Sequence, residues 1–261
     1  VGRLGANPTT HLATIRYPVQ NAPVISVVKL LPPQGHQACN EAIAWLFLRA
    51  AGVAIPKHAA LLAISERKMV AVLGRKAVAK HLVSNGYVMA WAAQKLNFAS
   101  IQVMFAGHVG DDRWLKAMCT LQGAAIAAFD EAFLNVDRNT GNILFMNNSA
   151  FVPIDHEMIF GLQPWNIGNL IDTRADSDSL ACLKKGIARG RVTQDAYNMA
   201  RNRMVMYAQS HALALQACEQ EVKALLLQVY PDEGCQMASR VLSFVTERTL
   251  LEWMADRLGV V

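Results

Sequence analysis

The segment from Asn135 to Asp155 constrains this chain more than any other. It opens with the polar run Asn135-Val136-Asp137-Arg138-Asn139-Thr140-Gly141-Asn142. Two short apolar runs follow, Ile143 to Phe145 and Phe151 to Ile154, around Asn147-Asn148-Ser149. Runs of this kind on either side of an Asn/Ser turn read as a β-hairpin. With the turn centred between Asn148 and Ser149, Phe145 faces Val152 and Ile143 faces Ile154. Asn142 then faces Asp155 at the open end, about 4.5–5.5 Å away in an antiparallel pair. Asp137 lies on the loop leading into that end. Three oxygen-bearing side chains are thus predicted to converge, a donor set suited to Mg²⁺ with attached phosphates.

Upstream, the chain reads as sheet plus one helix. Thr10–Val19 and Val24–Leu31 are β-branched strand material, joined by Asn21-Ala22-Pro23, and Pro32-Pro33 with Gly35 stops the second strand. A helix is predicted from about Gln37 to Ala51, with Ile43, Leu46, Phe47 and Ala50 on one face and Gly52 at its end. Ala59–Ile64 and Tyr87–Ala92 read as short buried strands. Lys29 sits inside an apolar strand, where an unpaired ammonium is costly, and Glu41 lies on the following helix. Each charge is explained if the other is near it.

From Asp111 or Asp112 the pattern turns helical. One long amphipathic helix is predicted to carry Leu115, Met118, Gln122, Ala125, Phe129 and Phe133 on one face. Beyond Asp155, further helices are expected near 193–210, 213–229 and 236–258. The fold class is therefore α+β: a small mixed sheet-and-helix lobe over residues 1–91 and a larger, mostly helical lobe over 92–261.

Several of these features together resemble HipA-like kinases, a branch of the protein-kinase-like superfamily also akin to the phosphatidylinositol kinases. They are Lys29, Asn40-Glu41, Gly52-Val53-Ala54-Ile55-Pro56, Phe129-Asp130, Asn135-Val136-Asp137-Arg138-Asn139, Asn142-Ile143-Leu144 and Ile154-Asp155-His156. The resemblance spans roughly residues 24 to 160. It implies a bilobal protein-kinase-like fold, use of ATP and Mg²⁺, and phosphoryl transfer to a Ser or Thr hydroxyl, in a family that includes toxins of toxin–antitoxin modules. Carried over by position, Lys29 holds the nucleotide phosphates and Glu41 orients Lys29. Asp137 is the catalytic base or hydroxyl-orienting residue, and Asn142 and Asp155 are the metal ligands. Met89 and Trp91 lie on the strand where the interlobe hinge is expected and could flank an adenine ring; core packing explains them equally well. His156 invites a role beside Asp155, with a structural one as the alternative.

The chain departs from the ordinary protein-kinase pattern in three places. No G-x-G-x-x-G precedes Lys29, since Gly2 and Gly5 are the sole upstream glycines. Asn-Val precedes Asp137 in place of His-Arg, and His-Glu follows Asp155 in place of Phe-Gly. Two alternatives follow from these residues. One is a small-molecule kinase of the aminoglycoside-phosphotransferase type, which shares the D-x-x-x-x-N and I-D grammar. The other is a nucleotide-binding pseudokinase that serves as a regulatory or interaction module.

Composition narrows the field further. Apolar residues make up 53% and charged residues 17%, which excludes intrinsic disorder. The longest apolar run, Ala42 to Leu48, is far short of a membrane span. Five scattered cysteines, with no C-x-x-C pair, argue against a disulfide framework or structural zinc, and the expected compartment is the cytoplasm. Two basic stretches, 65–81 and 183–203, carry five and six Lys/Arg against one acid each. They read as solvated faces or as a surface for an acidic partner, and a nucleic-acid role is not expected. Expected partners are ATP, a protein substrate and an antitoxin or regulator.

Overall fold

The computed structural model describes residues 9–18, 20, 22–32, 36–83, 86–105, 107–161, 165–170 and 175–260. Asn21, Pro33 and Gly35, read above as turn and strand-stop residues, lie outside them, as do Gly2 and Gly5. The chain divides into two compact units, residues 1–45 with 56–97, and residues 46–55 with 98–261.

The first unit is built on an antiparallel sheet. Its strands β1 (His11–Ile15), β2 (Val24–Leu30), β3 (Ala59–Ser65), β4 (Leu82–Val83) and β5 (Tyr87–Gln94) are ordered β1-β2-β5-β3, with β4 also paired to β5. Side chains alternate between faces along each strand. Val28, Leu30, Val88, Ala90 and Ala92 therefore share one face, where they form a buried cluster with Met69 and Val78. Those last two come from α2 (Glu66–Leu73) and α3 (Arg75–Val78), short helices formed by the first basic stretch. The intervening positions, Lys29, Met89 and Trp91, share the opposite face. Helix α1 (Gln37–Ala50) contributes residues to both units.

The second unit is mostly helical. It holds α4 (Ile101–Met104), α5 (His108–Met118), α6 (Leu121–Ala132), the strands β6 (Ile143–Asn147) and β7 (Ala150–Pro153), then α7 (Asp178–Ala188), α8 (Gln194–Val229), α9 (Gly234–Arg248) and α10 (Leu251–Leu258). Every residue of α6 from Gly123 to Ala132 is buried. The helix packs against α5, α7, α8, α9 and β7. Phe129 and Phe133 stack with ring centroids 4.6 Å apart, and Phe47 meets Phe133 edge-on at 4.7 Å.

Four expected helices differ. The long helix expected from Asp111 is broken at Cys119-Thr120, where the Thr120 hydroxyl accepts the Gly123 N–H and caps α6. A Cβ on Gly123 would lie 2.0 Å from the Ala117 carbonyl oxygen, so this tight corner needs glycine. The helices expected near 193–210 and 213–229 are one continuous helix, α8, because no Pro or Gly interrupts it and His211 is buried. The last one, expected over 236–258, is instead broken at Thr249-Leu250, between α9 and α10.

Candidate active site

In the first unit, β2 and β5 pair so that Lys29 lies directly opposite Trp91. Met89 lies two residues before Trp91 on the same face. The Lys29 ammonium donates to Glu41 Oε1 at 3.1 Å. Glu41 is 3% exposed and Lys29 is 16% exposed, so this pair is largely shielded from water. The two charges that looked awkward singly are thus neighbours. Trp91 is buried. Beside these residues, Trp45 on α1 donates its indole N–H to the Pro56 carbonyl at 2.8 Å, which fixes the chain entering β3.

In the second unit, the loop after α6 is organised by its own polar side chains. Asn135 donates to Asp130 Oδ1 at 3.0 Å, and its Oδ1 accepts the Asp137 N–H at 3.1 Å. The Asp137 carboxylate is held on both oxygens. Asn139 Nδ2 donates to Oδ1 at 3.0 Å, and Asn142 Nδ2 donates to Oδ2 at 3.3 Å and to the Asp137 carbonyl at 2.7 Å. The structure therefore brings Asp137 and Asn142 together, and it adds Asn139, which spacing alone had not marked.

The hairpin register departs from expectation by one residue. The turn is where it was placed: Asn147 pairs with Ala150, and Asn147 Oδ1 accepts the Ser149 N–H at 2.9 Å. A bulge between Phe145 and Asn147 then shifts the ladder, so Phe145 pairs with Phe151 and Ile143 with Pro153. Asn142 accordingly faces Ile154, whose N–H it accepts at 3.0 Å, and Asp155 lies one residue further on. Asp155 has φ +61°, a left-handed turn that Asp tolerates better than most residues. His156 is buried with its ring edge-on to Phe129 at 5.7 Å, a packing role.

Arg138 holds this hairpin end in place. Its Nη1 donates to the Asn142 carbonyl at 3.0 Å and to the Ile154 carbonyl at 2.7 Å, while Nε lies 3.1 Å from each Asp130 oxygen. Ser179 on α7 donates its hydroxyl to Asp130. Next along α7's start, Asp178 donates its N–H to the Asn135 carbonyl at 2.9 Å. Burial, with the charges of Asp137 and Asp130, pushes the Asp178 carboxyl above its usual pKa.

The donor types would suit a hard divalent cation: Nδ2 of Asn142 is committed to Asp137, so its Oδ1 could ligate, and Asp155 could offer a carboxylate.

No known protein-family model matches this chain, and no curated protein matches it in sequence. A solved structure does: the crystal structure of a Helicobacter pylori proinflammatory kinase, CtkA. The match covers 99% of this chain and 94% of that one, with 13% identity and a TM-score of 0.50. The fold is thus a protein-kinase-like α+β fold with a small antiparallel-sheet part and a larger helical part. Among the described residues, no helix is long and apolar enough to cross a membrane.

Proposed function

We propose that this chain is an ATP- and Mg²⁺-dependent phosphotransferase of HipA-like type that phosphorylates Ser or Thr of a protein. The observation that carries the reading is the hold of Asn142, five residues on, upon the Asp137 carboxylate. This occurs in a chain whose fold is kinase-like. A carboxylate fixed on both oxygens is oriented in advance to accept the hydrogen bond of an acceptor hydroxyl and to take up its proton. Lys29, steadied by Glu41, binds nucleotide phosphate oxygens as a point charge. Met89 and Trp91 share its sheet face and offer apolar surface to an adenine ring. Asn142 and Asp155 would hold Mg²⁺, which when bound neutralises the charge on the phosphates.

Incubation with γ-labelled ATP and a Ser/Thr peptide mixture tests the reading. Transfer by the wild type, lost in Asp137→Ala with nucleotide binding kept, is the expected result. Normal transfer by both Asp137→Ala and Asp155→Ala contradicts the assignment.

One observation favours a second reading, a nucleotide-binding pseudokinase. The connection between β1 and β2, residues 16–23, contains no glycine, so nothing there resembles a flexible cover for phosphates. Nucleotide binding without transfer to any acceptor would select it.

A further inference from the structure

We propose that a cleft beside the Asp137 loop, lined by α5, α7 and the turn after α7, binds an acidic side chain of the acceptor protein. This inference rests on the reading of the chain as a protein kinase. The cleft has a volume of about 340 Å³. Buried Arg138 and half-buried Asp178 line it, together with Arg191, Asp111 and the exposed residues Lys185 and Arg189. It lies next to the catalytic loop: Arg138 follows Asp137 directly, and the Asp137 charge acts on Asp178.

The cleft absorbs part of the basic stretch 183–203, and the structure separates that stretch by partner. Lys184 pairs with Asp176 at 2.8 Å and points its charge elsewhere. Arg201 donates to the Leu258 carbonyl at 2.6 Å. Arg191, although it lines the cleft, is held by Asp112 at 2.7 Å and by the His108 carbonyl at 2.7 Å. The side chains of Lys185 and Arg189 make no hydrogen bond or salt bridge among the described residues. They lie four residues apart, one turn along the end of α7, and so flank the same opening.

The acids of the cleft face its own cations. Asp111 lies 3.7 Å from Arg191, and the Lys185 charge acts on half-buried Asp178. What the opening itself presents to an incoming group is exposed Arg189, with exposed Lys185 one turn away. A basic side chain reaching for Asp178 would have to pass both cations. A carboxylate meets two charge-assisted donors at the opening, an arrangement that confers selectivity and faster encounter. An acceptor hydroxyl placed at Asp137 would set a neighbouring residue at this cleft.

The test uses the whole chain and Ser-centred peptides carrying Asp in turn at each flanking position, with an all-Ala peptide as reference. Both fluorescence anisotropy and phosphate transfer are read, for the wild type and for Lys185→Glu/Arg189→Glu. Both residues are exposed, so the double variant should fold, and its melting temperature verifies this. At least one acidic peptide should bind the wild type about tenfold tighter than the reference, and that preference should vanish in the double variant. Transfer to the all-Ala peptide should be unchanged. Equal binding of all peptides by the wild type, or a preference kept by the double variant, overturns the cleft assignment while transfer continues to support the kinase reading. Charge-dependent binding without transfer to any peptide supports the cleft and sinks the kinase reading. A single-stranded oligonucleotide that displaces the acidic peptide, and binds more tightly than it, overturns the inference in favour of nucleic acid.

Discussion

Arg138 and Asp130 form an ion pair with neither side chain exposed, Nη2 to Oδ1 at 3.0 Å, and the same guanidinium reaches the carbonyls of Asn142 and Ile154. One planar cation thus ties the end of α6 to both strands of the hairpin that carries the candidate ligands. A planar five-donor group suits this task; an ammonium does not. Removing the carboxylate with Asp130→Ala strands a buried guanidinium, which costs about 3–5 kcal/mol. For a chain of this size that lowers the melting temperature by roughly 6–20 °C. A loss under 2 °C by thermal melt would show the pair contributes no net stability (about 1 kcal/mol or less).

Arg138→Lys separates positioning from charge. The cation remains, but it cannot hold Asp130 and two carbonyls at once. The Mg²⁺ concentration needed for half-maximal transfer should rise several-fold while the fold survives by circular dichroism. An unchanged metal requirement would mean that the hairpin end is set by other contacts.

Lys29 and Glu41 should depend on each other. Glu41→Gln keeps the shape of the helix face but removes the charge that orients the ammonium. A charged hydrogen bond is worth about 1.5–3 kcal/mol, so nucleotide affinity should fall about 10- to 100-fold. Lys29→Met should lose at least as much, and the double variant little more than either alone. Isothermal titration with ATP checks this, and strictly additive losses would contradict the coupling.

Gly141 sits between Asn139 and Asn142. A Cβ there would lie 2.6 Å from Gln102 Oε1 and 2.9 Å from Asn139 Oδ1. Gly141→Ala should therefore push Asn139 off the Asp137 carboxylate. Transfer should drop about tenfold or more with a melting temperature close to wild type. The opposite pattern, stability lost and rate kept, would show that Asn139 does not orient Asp137.

His211 gives a pH dependence. It is buried against Phe47 and Tyr207, neither ring nitrogen has a hydrogen-bond partner among the described residues, and burial lowers its pKa to about 4. The unfolded chain takes up a proton below about pH 6.5, whereas the folded chain resists until about pH 4. Stability is thus unaffected by this group above pH 6.5 and falls as pH drops through that window. Between pH 6.5 and 5 the loss is about 2 kcal/mol. Urea unfolding should show this slope in the wild type and a flatter one in His211→Phe. Equal slopes would show that His211 is charged in the folded state.

Much of the first unit was legible because its signals are local. A β-branched, mostly apolar run put Lys29 inside a strand, and an unpaired ammonium there demands a partner, which Glu41 supplies. The hairpin turn was legible from Asn147-Asn148-Ser149. Its register was not, because a single bulged position near Met146 has no composition cue and shifts every later pair by one. The α5–α6 corner hid behind an apolar pattern that continues across it, although Thr120 three residues before Gly123 was a cap signal. Asn139 was hidden by the ambiguity of Asx-rich loops, where any Asn can serve a turn. Ser179, 49 residues from Asp130, joins its network purely through tertiary packing.

The most direct test of the central claim is a thermal melt of the wild type and Asp155→Ala, each with and without millimolar Mg·ATP. Ligand at a hundred times its dissociation constant adds about 2.7 kcal/mol, or roughly 5–10 °C for a chain this long. The account predicts that shift in the wild type and its loss in Asp155→Ala. No shift in the wild type, or an equal shift in both, would contradict it.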